Sequence, residues 1–255
     1  MTPRTSDPTQ RFSSRVVDYG RYRPDYPPGV LDLLRREIGV TKATVVADVG
    51  AGTGIATAMF LRQGNRVFAV EPNRAMRTAA ERRLRAFPGF RSVAGRAEAT
   101  TLPNGSVDCV LAAQAFLWFD PAKTRTEFRR ILRPGGRVVL LWNRRLKEST
   151  PFLRAYEALL ETHGVDYTRV RHERIDDRAL ARFFAPGFRR HALPHAQVLD
   201  FRSLKGRLLS SSYAPLAGHR GHAPMMAALQ RIFREHQAHG RVRLEYETVI
   251  YVGHI

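Results

Sequence analysis

The sequence predicts an α/β protein built on a parallel sheet with helices on both faces. Three observations carry that prediction. Strand-like and helix-like segments alternate from Thr44 to Asn143. The strand-like runs, such as "RVVLLW" at 137–142, are almost wholly apolar, as strands buried on both faces are. The first of them, Val45–Val49, runs into a turn with Gly50, Gly52 and Gly54 that opens a helical pattern.

The elements follow in order. Residues 1–29 are polar and punctuated by Pro24, Pro27, Pro28 and Gly29, which predicts an extended arm or lid; "YGRYRPDYPP" within it is rich in tyrosine and arginine. The core is expected over 30–145. "GVLDLLRREIG" places Leu31, Leu34 and Ile38 on one helical face with Gly39 as the stop. Strands are then predicted at "TVVADV", "RVFAVEP", "FRSVAGRAE", "VDCVLAAQA" and "RVVLLWN", and helices at "GIATAMFLRQG", "AMRTAAERRLRAF" and "KTRTEFRRIL"; "RPGG" reads as a turn. Residues 146–186 read as a helical cap. Residues 187–255 read as final antiparallel strands with an intervening cap segment, the last strand alternating through Leu244, Tyr246, Thr248, Ile250 and Val252.

A chain of 255 residues, 44% of them hydrophobic, is enough for one large α/β domain with a cap. No run is long enough to span a bilayer and "MTPRTSDPTQRF" lacks the apolar core of a signal peptide, so a cytoplasmic protein with no membrane partner is expected. The single cysteine, Cys109, lies in an apolar run and reads as a buried, inert thiol. A net charge of +19 invites a nucleic-acid reading. Against it, the arginines are dispersed along the chain, and only four of the 42 basic residues are lysine, a compositional bias rather than a patch.

The glycine turn decides between ligands. A dinucleotide turn reads G-x-G-x-x-G, whereas here the spacing is G-x-G-x-G and Ile55 stands where the third glycine would be. Asp48, just before the turn, would repel a pyrophosphate. It would attract a ligand with an ammonium and a sulfonium and no phosphate, such as S-adenosylmethionine. Glu71, seventeen positions after Gly54 at the end of the next strand, suits a ribose diol, a feature shared with nicotinamide-nucleotide sites. Glu98 sits in the loop expected near an adenine.

Together "ADVGAGTG", "VEPNRAM", "GRAEATTLPNGSVDCVLAAQAFLWF" and "ILRPGGRVVLLWN" resemble, in order and spacing, the successive motifs of class I S-adenosylmethionine-dependent methyltransferases of the type 11 group, over Val45 to Asn143. The flanks "YRPDYPP" and "LLSSSYAP" have a looser similarity to small-molecule members related to trans-aconitate methyltransferase. The resemblance implies a Rossmann-like sheet of seven strands, mostly parallel with the last antiparallel. It implies Asp48, Gly50, Gly52 and Gly54 around the methionine part of the cofactor, Glu71 on the ribose, Met76 near the adenosine, Ala97 and Glu98 at the adenine, and Gln114 beside the methyl. Tyr19, Tyr22 and Arg23 of the arm are candidates to close over it.

Methyl transfer is an in-line displacement in which the protein aligns the acceptor and excludes water. A base is required for an alcohol or amine but not for a carboxylate. The acceptor is therefore expected above Gln114, under the cap, with Trp118, Asn143, Arg144 and Tyr213 as positioning candidates. Arg144, with Arg23, favours a small anionic acceptor such as a carboxylate. His191 and His195 read as surface or structural, His219 and His222 are loop residues and candidate bases near the pocket mouth, and no metal site is indicated. A nucleic-acid methyltransferase is the nearest rival, disfavoured because the fourth strand ends in "AAQAFLWF" and not in an Asn/Asp-Pro-Pro-aromatic quartet. A non-catalytic cofactor-binding protein and a nicotinamide-dependent enzyme are the others.

Overall fold

The computed structural model describes residues 15–167 and 177–255. Seven strands form one sheet: β1 (Val45–Val49), β2 (Arg66–Val70), β3 (Phe90–Val93), β4 (Val107–Ala113), β5 (Leu132–Arg145), β6 (Phe188–Leu199) and β7 (Val242–Gly253). Their order is β3-β2-β1-β4-β5-β7-β6, parallel except for β7, which lies antiparallel between β5 and β6. The chain reverses its winding between β1 and β4. In open α/β sheets the crevice at the carboxyl ends of such strands is where ligands bind.

Helices α1 (Val16–Tyr22), α2 (Gly29–Ile38), α3 (Ile55–Leu61), α4 (Arg74–Leu84), α5 (Pro121–Ile131), α6 (Pro151–His163), α7 (Asp177–Phe183), α8 (Phe201–Leu209) and α9 (His222–His236) surround the sheet. Local chemistry sets their ends. Gly39 takes φ +66° to stop α2, and Asn73, Asp120, Thr150 and Asp200 accept backbone N–H bonds at the starts of α4, α5, α6 and α8.

Three apolar clusters follow. One face of the sheet packs Val30 and Leu34 of α2, Phe60 of α3 and Leu84 of α4. The other packs Phe128 of α5 with Leu180, Phe183 and Phe184. The third joins α6, α8 and α9 to Leu199, Leu244 and Tyr246, on the stretches of β6 and β7 that run beyond the other strands. The expected division therefore shifts: within 146–186, α6 belongs to the cap while α7 covers the sheet, because its Phe183 fits the aromatic layer around Phe116 and Phe128.

The arm also differs from the extended segment expected, since Val16–Tyr22 is helical and packs on α8 and α4. Residues 1–14 of the arm and 168–176 of the cap lie outside the described residues. The "RPGG" turn is absorbed into β5, where the pairing register with β4 shifts and Gly135 takes φ +79°. No helix among the described residues is long and apolar enough to cross a membrane.

Candidate active site

Two cavities meet at the carboxyl ends of β1 and β4. A crevice of about 500 Å³ is lined by Glu71, Arg96, Ala97, Glu98, Phe119 and Lys123, among others. A chamber of about 140 Å³ by the same measure lies toward the cap, with Arg23, Tyr26, Arg145, Tyr167, Arg207 and Tyr213 among its walls. Tyr19, Gly50, Gln114 and Trp118 line both, so the two share one wall.

The glycine turn builds the floor. Gly50, Gly52 and Gly54 all have positive φ (+72°, +57° and +78°), which L side chains adopt only under strain. A Cβ on Gly50 would lie 2.5 Å from Cβ of Ala115, and one on Gly54 2.5 Å from Cδ1 of Leu84. At Gly52 the nearest atom would be 3.9 Å away, on the Tyr19 ring. Gly50 and Gly52 therefore serve the cavities, whereas Gly54 starts α3 and lets it pack against α4.

Glu71 holds the turn in place. Its Oε2 accepts from the Gly52 N–H at 2.8 Å and its Oε1 from the Asn73 N–H at 2.8 Å. Each oxygen keeps a lone pair for a diol in the crevice. Burial raises its pKa, opposed by those two amides. The start of α4 is capped by Asn73, which leaves Glu71 free of that task.

Asp48 is wholly buried beneath the turn and lies behind the cavity walls. Thr57 Oγ1 donates to its Oδ2 at 2.6 Å, while Oδ1 has no hydrogen-bond partner among the described residues. Burial, with Glu71 adding to it, pushes its pKa up to about 7. An unsatisfied buried carboxylate oxygen under a cavity floor is a standing demand for a donor or a cation. Gln114 adds a second orphan: its residue sits at φ +60° at the end of β4, with Oε1 buried and unpartnered. These two oxygens, the bare turn and the diol-ready Glu71 fit a nucleoside bearing an ammonium group.

The Ala97–Glu98 side of the crevice depends on a buried brace. Glu127 of α5 accepts from the Thr100 N–H at 2.7 Å and from its hydroxyl at 2.5 Å, and Arg130 grips the same carboxylate. That guanidinium holds Glu127 down to about 2, so the brace stays charged. It fixes the loop presenting Ala97 and Glu98, and Glu98 Oε1 accepts from the Asp120 N–H at 2.8 Å. Met76 is buried within α4 and contributes no wall to either cavity.

Of the arm residues expected at the site, Tyr19 and Arg23 reach the cavities and Tyr22 does not. Tyr19 lines both cavities and Tyr26 the chamber. Tyr22 lines neither cavity; its ring fills the space over Gly206 of α8. Asn143 ties the arm down, donating to the Asp25 carbonyl at 3.1 Å and accepting from Thr248 at 2.6 Å.

The cation at the end of β5 is likewise relocated. Arg144 borders the chamber, but it is half exposed and its guanidinium pairs with Glu247, its register partner on β7. Its neighbour Arg145 points to the other face and is buried, paired with Glu157 and bonded to the Tyr167 hydroxyl at 3.0 Å. Arg207 of α8 was not singled out in the sequence; it donates to Tyr246 Oη and Ser211 Oγ, both at 3.1 Å. Only its place in an amphipathic helix marked it as core-facing.

Arg23 donates to the Ser210 carbonyl at 3.1 Å, lies over the Tyr19 ring at 4.9 Å, and keeps a buried Nε without a partner. Neither Arg23 nor Arg207 has a carboxylate partner among the described residues.

The remaining candidates serve structure. His219 accepts from the Gly221 N–H, His222 contacts the Pro215 carbonyl, and His191 lies 3.6 Å from Glu37. Cys109 is buried in β4 and its thiol is pushed up to about 12. No cluster among the described residues could hold a metal.

Comparison with known proteins agrees with this geometry. Residues 47–140 match the family model described as a methyltransferase domain. An uncharacterized methyltransferase of Mycobacterium tuberculosis is 41% identical over 145 residues, which is 57% of each chain. Another, from Schizosaccharomyces pombe, is 32% identical over 151 residues, 59% of each. The matched region thus spans less than two thirds of these relatives.

Among solved structures, a protein provisionally described as a type II methyltransferase, from Anaeromyxobacter dehalogenans, superposes with a TM-score of 0.67 at 23% identity, covering 91% of this chain and 98% of that one. A second, from an antibiotic biosynthesis pathway of Anabaena variabilis, gives 0.64 at 24% with the same coverage. At such identities they show the fold. The family match takes in the glycine turn and β4, so this part of the chain is similar to methyltransferase domains, within the fold those structures share.

Proposed function

We propose that the protein transfers the methyl group of S-adenosylmethionine to a small anionic acceptor held in the chamber. One observation carries the reading: the crevice shares a wall with a chamber whose buried Arg207 and partly buried Arg23 have no counter-ion among the described residues. An uncompensated buried charge is costly, and a carboxylate entering the chamber relieves that cost.

When bound, S-adenosylmethionine supplies a methyl group on a sulfonium. Glu71 holds the ribose hydroxyls, Ala97 and Glu98 flank the adenine, and Asp48 faces the ammonium from beneath the turn. Arg23, stacked on Tyr19 at the shared wall, receives the methionine carboxylate. Arg207 and Arg145 remain for the anionic group of the acceptor. Gln114 and Trp118 align the reacting atoms, and Tyr19 and Tyr26 shut out water. Such positioning supplies most of the acceleration in a displacement of this kind. The chamber's small volume supports a small acceptor.

The test is calorimetric titration with S-adenosylmethionine, S-adenosylhomocysteine and NAD, followed by a labelled-methyl screen of carboxylic and hydroxycarboxylic acids. Both sulfur nucleosides should bind, more weakly in Glu71→Ala, and transfer to an acid should fall steeply in Arg207→Met. Binding of NAD alone, or transfer only to uncharged acceptors, would overturn the reading.

A further inference from the structure

Resting on that functional reading, we propose that Tyr213 is the general base of the transfer, so that the acceptor is a hydroxy acid methylated on its hydroxyl oxygen. Tyr213 follows α8 and lines the chamber together with Gly50 and Gln114. Its ring meets that of Tyr167 edge-on with centroids 4.8 Å apart, which fixes its direction.

Three guanidiniums converge there from three parts of the chain. Arg23 of the arm reaches the Ser210 carbonyl, Arg207 of α8 reaches Ser211 Oγ, and Arg145 of β5 reaches Tyr167 Oη. The other titratable groups nearby are Tyr156 and Glu157 of α6, Tyr167, Tyr246 of β7, Tyr19 of the arm and Lys147. The single carboxylate of that set, Glu157, is already bound by Arg145, by Lys147 and by the Tyr167 hydroxyl.

The field sets Tyr213 apart from its neighbours. Burial drives the phenols of Tyr26, Tyr156 and Tyr167 upward. Burial pushes Tyr213 upward too, but Arg207, Arg145 and Arg23 outweigh it and hold the phenol below its usual range. An acidic phenol is a weak base until those cations are neutralised. The acceptor's own carboxylate does this: as it settles on Arg207 and Arg145, the basicity of the Tyr213 oxygen rises. With Tyr213 ionised, the acceptor's hydroxyl proton moves to the phenolate oxygen, and the acceptor oxygen's lone pair forms the bond to the methyl carbon. The carbon–sulfur bond breaks with its electron pair left on sulfur. Tyr213 returns the proton to solvent once product has gone.

The first measurement is tyrosinate ultraviolet absorbance against pH, with and without S-adenosylhomocysteine, for the wild type, Tyr213→Phe and Arg23→Gln. One of the eight tyrosines should ionise ahead of the others. That step should vanish in Tyr213→Phe and move to higher pH in Arg23→Gln and with saturating benzoate. Absence of an early step, or its survival in Tyr213→Phe, overturns the proposal. The second is the pH–rate profile on whichever hydroxy acid the labelled-methyl screen identifies. Tyr213→Phe should lose about a hundredfold or more in rate, together with the wild-type acidic limb. An unchanged profile overturns the base role. Failure of S-adenosylhomocysteine to bind the wild type would instead overturn the functional reading, leaving the tyrosine titration to stand alone.

Discussion

In the crevice the working groups are backbone amides, a bare glycine turn and carboxylates that follow their strands directly: Asp48 on β1 and Glu71 just after β2. In the chamber they are long side chains from the arm, β5, α8 and the segment after it, separated by up to 190 positions between Arg23 and Tyr213. A crevice built from backbone tolerates little change at a few points. A chamber built from side chains loses its shape when its ion pairs are cut, and can change specificity without disturbing the turn.

The largest effect expected is therefore in the chamber wall. Arg145→Met leaves Glu157 buried with only Lys147 and Tyr167 around it, and should cost about 3–5 kcal/mol in urea denaturation. A loss under about 1 kcal/mol would mean that Lys147 replaces the guanidinium and that the chamber is more adaptable than drawn.

Next comes the crevice floor. Gly50→Ala must both hold φ +72° and displace Ala115, for about 2–3 kcal/mol, with loss of S-adenosylhomocysteine binding. Gly52→Ala has the positive φ without the clash and should cost about 1–2 kcal/mol. Equal effects of the two would show that backbone conformation, and not the close approach of Ala115, governs the turn.

Asp48 sharpens the comparison through pH. Its carboxyl is raised from 3.8 to about 7, so between those values the folded protein holds a proton that the unfolded chain has lost. Its contribution to stability accordingly falls as pH rises across that window. Binding of an ammonium-bearing ligand runs the other way and should strengthen as pH rises through about 7. Calorimetry from pH 6 to 8, conditions of roughly one unit either side of that value, should show the trend in the wild type and its loss in Asp48→Asn. A trend preserved in Asp48→Asn would assign it to another group.

The smallest effect is expected at Tyr22→Phe, whose ring lies over Gly206 and away from both cavities. Stability should change by under about 0.5 kcal/mol and ligand affinity should stay the same. Tyr19→Ala, on the shared wall, should weaken S-adenosylhomocysteine binding in the same assay. The reverse order would make Tyr22, and not Tyr19, the arm tyrosine that serves the cavities.

How much was legible follows the same line. The parallel core, the glycine turn, Glu71, the Ala97–Glu98 loop and Gln114 were all readable, because each is fixed by a short pattern: a strand end, a turn that only glycine can make, a loop at a set distance. The arm was misread as extended because "VVDYGRY" contains no strong helix signal and becomes helical only against α8 and α4. The cap was drawn too large because Phe183 of α7 does not say which cluster it joins.

What the sequence by itself determined is the crevice side of the molecule: the fold, the likeness to methyltransferase domains and the residues that accompany the turn. Periodicity and turn chemistry act over a few residues, and a linear reading resolves that range. Tertiary structure alone decided the chamber. Whether Arg144 or Arg145 is the buried cation depends on which face of β5 meets α6. That Arg23, Arg207 and Tyr213 meet at all depends on the arm and the cap closing over one sheet edge. Charges couple through space with a strength set by burial and distance, and neither quantity is written in the order of the residues.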